Sequence, residues 1–417
     1  MSRRVAVIGA GLAGVTTAFE LASRGCHVQV FERGGSIAGR SSFACNALLA
    51  PFVPHLDELP APAPLIWRWR RWRASRHADG ASAALTALTQ WGISRTTELR
   101  QRLRLDDEAT GGLLVALGDA KRLEAAQARL DEWKARGLTV HLLNADQACS
   151  LEPGLNTDAP LAGALAVAGG GAGNARLFAQ QLRHHAQRLG VAFRFHTAAR
   201  AILADGSGLT LRHEYTPPVE PPTTRFLDPE ARDAIPPASG PRDERFDAIV
   251  LCNGLEAQPL LGHRLQLAAQ HEASVTAPLR VLEAHPDLGP RAGWLDPARG
   301  LAIARTGQRV RVTGDLRITG ARERTQPDFE LLHRGLQHWF PGSTQRQQVQ
   351  QSHSRRTLAA DGLPVIGASD KSGVWLNLAP GGNGWALACG AAQALAQRIT
   401  GDTPAVDITP LGPQRLA

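Results

Sequence analysis

Lysine is nearly missing from this chain of 417 residues: only Lys121, Lys134 and Lys371 stand among its 46 basic residues, and the rest are arginine. Tyrosine and methionine occur once each, as Tyr215 and Met1. A formal charge of +8 and a pI near 10.0 would ordinarily suggest nucleic acid or an anionic membrane. Here the arginine excess runs through the whole chain beside those scarcities, so it reads as compositional bias and does not count as a nucleic-acid signal. The five cysteines, Cys26, Cys45, Cys149, Cys252 and Cys389, show no C-x-x-C spacing. That excludes the zinc and thiol-exchange patterns and leaves small buried hydrophobes. No run approaches 18 consecutive apolar residues, which excludes a membrane-spanning helix. With 43% hydrophobic and 20% charged residues, neither collagen nor wholesale disorder fits. The expectation is a soluble cytoplasmic protein of two domains or one composite domain.

What is present begins at the N-terminus. Val5 to Ile8 is an apolar run of strand length, followed by a glycine turn and a helical stretch to about Arg24, then a second strand from Val28 to Phe31 ending in Glu32. Residues 82–136 read as helical, with stops at Gly111-Gly112 and Gly137. Further strands are expected at 164–168, 191–196, 209–213, 246–252, 310–313, 316–319 and 374–378, and helices at about 176–189, 329–340 and 385–399. Residues 216–245 carry eight prolines and little apolar content, and are expected to form an exposed, mobile insertion.

The glycine turn carries chemistry. Gly9-Ala10-Gly11-Leu12-Ala13-Gly14 is a G-x-G-x-x-G run between a strand and a helix. Its first glycine allows the tight turn, the second lets backbone approach a pyrophosphate, and the third permits close packing of helix on sheet. The helix N-terminus then offers N–H groups and its positive dipole end to the phosphates. Ala18 and Gly25 extend the pattern, and Glu32 stands where an acid accepts ribose hydroxyls, which disfavours a 2′-phosphate and leaves FAD or NAD. The fingerprint occurs once, at the N-terminus, and the buried strand 246–252 follows more than two hundred residues later. This is the arrangement of a nucleotide domain interrupted by insertions, common among flavoenzymes.

On these residues the chain resembles the D-amino-acid oxidase superfamily of FAD enzymes, and within it the glycine oxidase and bacterial D-amino-acid dehydrogenase group. Three further segments carry the likeness. Phe31-Glu32-Arg33 through Arg40-Ser41-Ser42 is similar to the family segment in which an arginine and two hydroxyl residues run along the FAD, with Ala47, Leu48 and Leu49 approaching the isoalloxazine. Arg356, followed by Asp361-Gly362-Leu363-Pro364 and an apolar pair before Gly367, falls on the family arginine that binds the substrate carboxylate. Gly381, Gly382, Asn383, Gly384 and Trp385 open the last helix, and the resemblance implies backbone N–H groups facing flavin N1 and O2. Cys252, Asn253 and Gly254, where the 246–252 strand ends, join the implied cofactor contacts.

The sequence also departs from the family. Its last turn reads Ala379-Pro380-Gly381-Gly382 where the dehydrogenases have Gly-His-Gly-Thr, the substrate tyrosines have no counterpart, and Ala268-Ala269-Gln270-His271-Glu272-Ala273 replaces a Pro-x-Arg/Lys-Gly turn.

The implied fold is mixed α/β: a Rossmann-like FAD-binding domain (1–60, 150–263 and 351–417) with a smaller substrate domain on an antiparallel sheet (61–149 and 264–350), and 216–245 as the Pro-rich insertion. The implied activity is oxidation of the C–N bond of a small amino acid or amine (D-amino acid, glycine or N-alkyl glycine). Hydride passes to flavin N5, the imine hydrolyses to a 2-oxo acid, and electrons go on to O2 or a quinone. Alternatives within the resemblance are a flavin enzyme acting on a modified tRNA wobble uridine and a non-catalytic flavoprotein.

Direct hydride transfer needs no strong side-chain base, which suits a sequence without an obvious acid–base pair. His263 and His271 are candidate local bases, although a lone histidine is more often structural. Arg311, in an alternating Arg-Val-Arg-Val run, either lines the active site or faces outward from a half-exposed strand, and the alternation favours the second. Leu65-Ile66-Trp67-Arg68-Trp69-Arg70-Arg71-Trp72-Arg73 interleaves Trp and Arg without a clean apolar face. Four readings compete for it: anionic lipid at the inner face of the cytoplasmic membrane, RNA stacking, the wall of a substrate entrance, or an ordinary helix with Trp in the core and Arg outside.

Overall fold

The computed structural model describes residues 2–43, 45–51, 63–75, 79–205, 208–217, 238–262, 265–280, 288–291, 293–319 and 326–416. Two sheets organise them. The first has six strands in the order Val365–Ala368, Val374–Leu378, Ala248–Leu251, Arg4–Ile8, His27–Phe31, Ala192–Arg194. All its pairings are parallel except the first.

Because successive side chains of a strand point to opposite faces, the run Val5-Ala6-Val7-Ile8 feeds two cores at once. Val5 and Val7 pack with the helices Leu12–Ala22, Ala175–Arg188 and Gly384–Thr400. Ala6 and Ile8 pack with Ile202, Leu209, Leu211 and Phe246 of a three-stranded antiparallel sheet on the other side. A strand covered on both faces must be continuously apolar, and this one is.

The second sheet has eight strands in the order Gln350–Ala359, Leu267–Pro278, Arg309–Thr319, Leu301–Thr306, Gly293–Asp296, Leu113–Leu117, Gly163–Val167, Val140–Leu143. It is antiparallel apart from the pairing of Gly293–Asp296 with Leu113–Leu117. The helix Phe329–Trp339 covers one face, where Trp294 and Trp339 meet with ring centroids 4.9 Å apart. Trp133 anchors the other face.

Several expectations change against this frame. Helix is expected across 82–136, but the long helix Asp79–Leu103 ends well before Gly111. Leu113–Leu117 is a fully buried strand, because a five-residue apolar run between glycines has faces to fill on both sides of the sheet. The strands expected at 310–313 and 316–319 are one strand, Arg309–Thr319. Of the Pro-rich stretch, 218–237 lies outside the described residues, while Arg242–Phe246 is a strand paired with Gly208–Tyr215.

The domain boundaries expected from sequence meet the sheets as follows. Gln350–Ala359 spans residue 351, yet hydrogen-bonds at the edge of the eight-stranded sheet. Gly163–Val167 lies in that same sheet. Helix Asp79–Leu103 packs on Gly384–Thr400, where Gly92 and Gly390 let the backbones touch: a Cβ on Gly92 would stand 2.0 Å from the Ala386 carbonyl oxygen.

Candidate functional site

At the carboxyl ends of the central parallel strands, beside Ile8, Phe31 and Cys252, opens a cavity of about 850 Å³. This is where open α/β sheets bind ligands. Gly9 turns the chain with φ +100°, a left-handed value, and its N–H donates to the Phe31 carbonyl at 2.8 Å. Gly14 does not line the cavity; a Cβ there would lie 1.9 Å from the Gly9 carbonyl oxygen, so it sets how closely the helix Leu12–Ala22 seats on the turn.

Glu32 holds the turn from the second strand. Its carboxylate accepts from the backbone N–H of Ala10 at 2.7 Å and of Gly34 at 2.7 Å. Ser42 Oγ accepts from the Leu12 N–H at 3.1 Å, and Ser41 Oγ donates to the Arg355 carbonyl at 2.7 Å. Arg33 pairs with Glu256 at 3.0 Å on the rim. Arg40 lies on the wall, where burial first and Arg33 second hold its guanidinium below its ordinary value.

Gly9, Ala10, Gly11, Leu12, Ala13, Glu32, Arg33, Arg40, Ser41, Ser42, Cys252, Asn253, Gly254, Arg356, Gly381, Gly382, Gly384 and Trp385 thus converge on one cavity. Ala47, Leu48, Leu49 and Asn383 are not on its wall. Leu48–Leu49 is a short buried strand paired with Gly171–Ala172, and Ala47 faces a neighbouring cavity of about 310 Å³.

The walls fit a long nucleotide with a polar ring system. Among the described residues, three buried polar atoms on the lining have no partner, Asn253 Oδ1, Ser354 Oγ and Trp385 Nε1. At both glycine turns side chains are withheld: a Cβ on Gly11 would meet only Ser42 Oγ, at 3.5 Å, and one on Gly382 would meet nothing within 4 Å. Cys252, which joins this wall, has its thiol pushed up to about 12 by burial and so carries no thiolate.

Arg356 reaches the same cavity from the strand Gln350–Ala359. Its Nε donates to Gln270 Oε1 at 2.8 Å and its Nη2 to Glu272 Oε1 at 3.1 Å, while Nη1 lies 3.5 Å from the Gly381 carbonyl oxygen. Glu272 is 2% exposed, and burial pushes its carboxyl up, opposed by the fields of Arg356 and Arg311.

Arg311 does not face outward as its alternation suggests. Its Nε donates to Thr276 Oγ1 at 3.0 Å and its Nη1 to the Phe43 carbonyl at 2.6 Å, which locks the loop before Leu48 against the eight-stranded sheet. Burial lowers its pKa. His271 is buried, stacked on His353 with centroids 5.2 Å apart; His353, not His271, reaches the cavity wall. His263 lies outside the described residues.

Residues 4–398 match the model of a family described as FAD dependent oxidoreductase. The chain belongs to this family. The D-amino acid dehydrogenase of Cereibacter sphaeroides is 29% identical over 445 residues, spanning 99% of this chain and 95% of that protein. Among solved structures, glycine oxidase from Geobacillus kaustophilus shares the fold at TM-score 0.72 with 20% identity, covering 100% of this chain and 99% of that one. L-amino acid deaminase from Proteus myxofaciens does so at TM-score 0.74 with 17% identity, covering 100% and 94%. The family's cofactor is FAD, and the cavity walls fit it.

Sequence reading missed Phe43, Cys45, Asn46, Glu272, His353 and the 197–200 segment, all of which line the cavity. Glu272 had a local signal, since it sits in the stretch that departs from the family turn. The 197–200 segment had none, because it is brought in by the hairpin Thr197–Asp205 with Gly208–Tyr215.

Proposed function

We propose that this FAD enzyme oxidises the C–N bond of a small amino acid or amine: a D-amino acid, glycine or an N-alkyl glycine. The observation that carries the reading is Arg356, a cation largely withdrawn from water on the wall of the cavity into which the glycine fingerprint opens. A guanidinium can grip a carboxylate through two parallel hydrogen bonds and so fix the orientation of the carbon that is oxidised. Bound FAD supplies the two-electron acceptor. The chain holds the carboxylate at Arg356, keeps the reacting carbon in a partly water-excluded cavity, and releases an imine that water hydrolyses to a 2-oxo acid and ammonium, or an alkylammonium from an N-alkyl glycine. The reading places Gly9 to Ala13, Glu32, Arg40 to Ser42, Cys252 to Gly254, Gly381, Gly382, Gly384 and Trp385 along the cofactor, with Gly14 seating the helix behind the turn. It assigns 1–60, 150–263 and 351–417 to the nucleotide-binding unit and 61–149 and 264–350 to the substrate unit.

Arg356→Ala tests the assignment. The expected result is a KM for the amino acid raised about 30-fold or more, since a buried charged contact of this kind is worth about 2–5 kcal/mol, with a smaller effect on the rate of flavin reduction at saturation. An unchanged KM contradicts it.

We further infer that the protein works in the cytoplasm, with peripheral contact at the inner face of the membrane, and passes electrons to O2 or a quinone. Among the described residues no helix is long and apolar enough to cross a membrane. The helix Leu65–Ser75 supports surface contact instead. Trp67 is buried against Ala268, Ile318 and Leu358, while Leu65, Ile66, Trp69 and Trp72 are 79%, 59%, 52% and 55% exposed beside Arg68, Arg70 and Arg73. Exposed tryptophans among arginines suit the headgroup region of an anionic bilayer.

A further inference from the structure

On one side the strand Leu267–Pro278 pairs regularly with Gln350–Ala359, Gln270 opposite Arg356 and Glu272 opposite Ser354. On its other side the register with Arg309–Thr319 jumps between His271 and Ala273, and Asp315 beside the jump has a left-handed φ of +49°. Bulges of this kind re-aim side chains next to active sites. The residue at the jump is Glu272, and it lines the cofactor cavity with its carboxylate on Arg356.

A site built only to grip a carboxylate gains nothing from a fixed anion on its one gripping cation. That anion half-neutralises the guanidinium and is itself expensive to bury. The arrangement becomes complementary when the ligand carries both charges: a carboxylate against Arg356 and an ammonium against Glu272. Gln270 keeps the guanidinium in place from Nε, and Arg311, tied to the Phe43 carbonyl, adds a second positive field from the neighbouring strand.

We propose that Glu272 binds the α-ammonium of the substrate and takes a proton from it. The proposal rests on the amino-acid reading above. One N–H bond of the ammonium breaks, its electron pair stays on nitrogen, and an O–H bond forms on a Glu272 carboxylate oxygen. The amine is left neutral with a free lone pair, the form from which the C–H bond can be oxidised, and no oxidant or reductant enters the step. Burial favours the protonated carboxyl, so the proton is retained beside Arg356.

The test is calorimetric binding to the FAD-loaded protein at neutral pH, its flavin reduced beforehand with dithionite so that no turnover intervenes. Two probe pairs differ only in the ammonium group: D-alanine against propionate, and glycine against acetate. In the wild type the zwitterion of at least one pair binds about tenfold tighter or better than its carboxylate partner. Glu272→Gln keeps a hydrogen-bonding oxygen toward Arg356 but not the charge, and it loses that preference about tenfold while gaining affinity for propionate. Carboxylates that bind the wild type as tightly as their zwitterions overturn the proposal, as does a folded Glu272→Gln protein that keeps the preference. If that variant does not fold, the wild-type comparison decides alone. Wild-type protein that binds none of the four probes overturns the proposal, and overturns the amino-acid reading with it when glycine, sarcosine and a mixture of D-amino acids also leave the flavin oxidised. Flavin reduction by an amino acid that is unaltered in Glu272→Gln overturns only the proposal.

Discussion

A single methyl group at Gly14 is enough to break the nucleotide turn. A Cβ there meets the Gly9 carbonyl oxygen at 1.9 Å, a backbone atom fixed by its own sheet and unable to move aside. Gly14→Ala is therefore expected to purify with little or no flavin, read as the ratio of absorbance at about 450 nm to that of the protein. Flavin content equal to wild type would contradict the seating argument. The thiols give a second prediction. Cys252 and Cys389 are pushed up to about 12 by burial, so at mildly alkaline pH almost no thiolate forms, and iodoacetamide should leave both unmodified in the native protein while labelling them once it is unfolded. Rapid native labelling of Cys252 would show the site more open than described. At this scale the cofactor turn was legible because its glycines and Glu32 lie within 24 residues. For Glu272 the sequence marked only the stretch that departs from the family turn; its orientation into the site follows from a register jump between strands forty residues apart.

Secondary-structure elements were legible where one local pattern decides them. The strands Arg4–Ile8 and His27–Phe31 and the helices Ala175–Arg188 and Gly384–Thr400 fall where periodicity puts them, within a residue or two. Leu113–Leu117 was not, because a short apolar run suits a strand and a buried helix equally until its partners are known. Leu65–Ser75 divides its tryptophans between core and solvent, a split that follows from where the helix docks on Leu358 and Ile318 and not from its own period. If the exposed pair contacts lipid, Trp69→Ala with Trp72→Ala should cut sedimentation with anionic vesicles about tenfold or more at unchanged fold, and equal sedimentation would remove the membrane reading. Between elements, Glu20 is buried on the first helix and held by Arg95 at 2.7 Å and Arg24 at 2.8 Å. Removing one partner of a buried pair leaves a charge uncompensated, so Arg95→Ala should lower unfolding stability by about 3–5 kcal/mol in denaturant titration. A loss near zero would mean that Arg24 and water suffice.

At the scale of the molecule, one sheet supplies the nucleotide turn and the other supplies Arg356 and Glu272, and the cavity exists where they meet. The two-sheet architecture could be anticipated from the interrupted fingerprint. The interleaving could not, because Gly163–Val167 and Gln350–Ala359 join the eight-stranded sheet through pairings that no local signal marks. This junction brings a cation, an anion and two glycine turns to one cavity, which is the basis for reading the protein as an amino-acid oxidoreductase. The most direct test of that claim is an anaerobic absorption titration of the FAD-loaded protein with glycine, sarcosine and a mixture of D-amino acids. Bleaching of the oxidised flavin band near about 450 nm by at least one of them is the expected result, since loss of that band reports electron transfer from the amine. A flavin that stays oxidised through the whole series would contradict it.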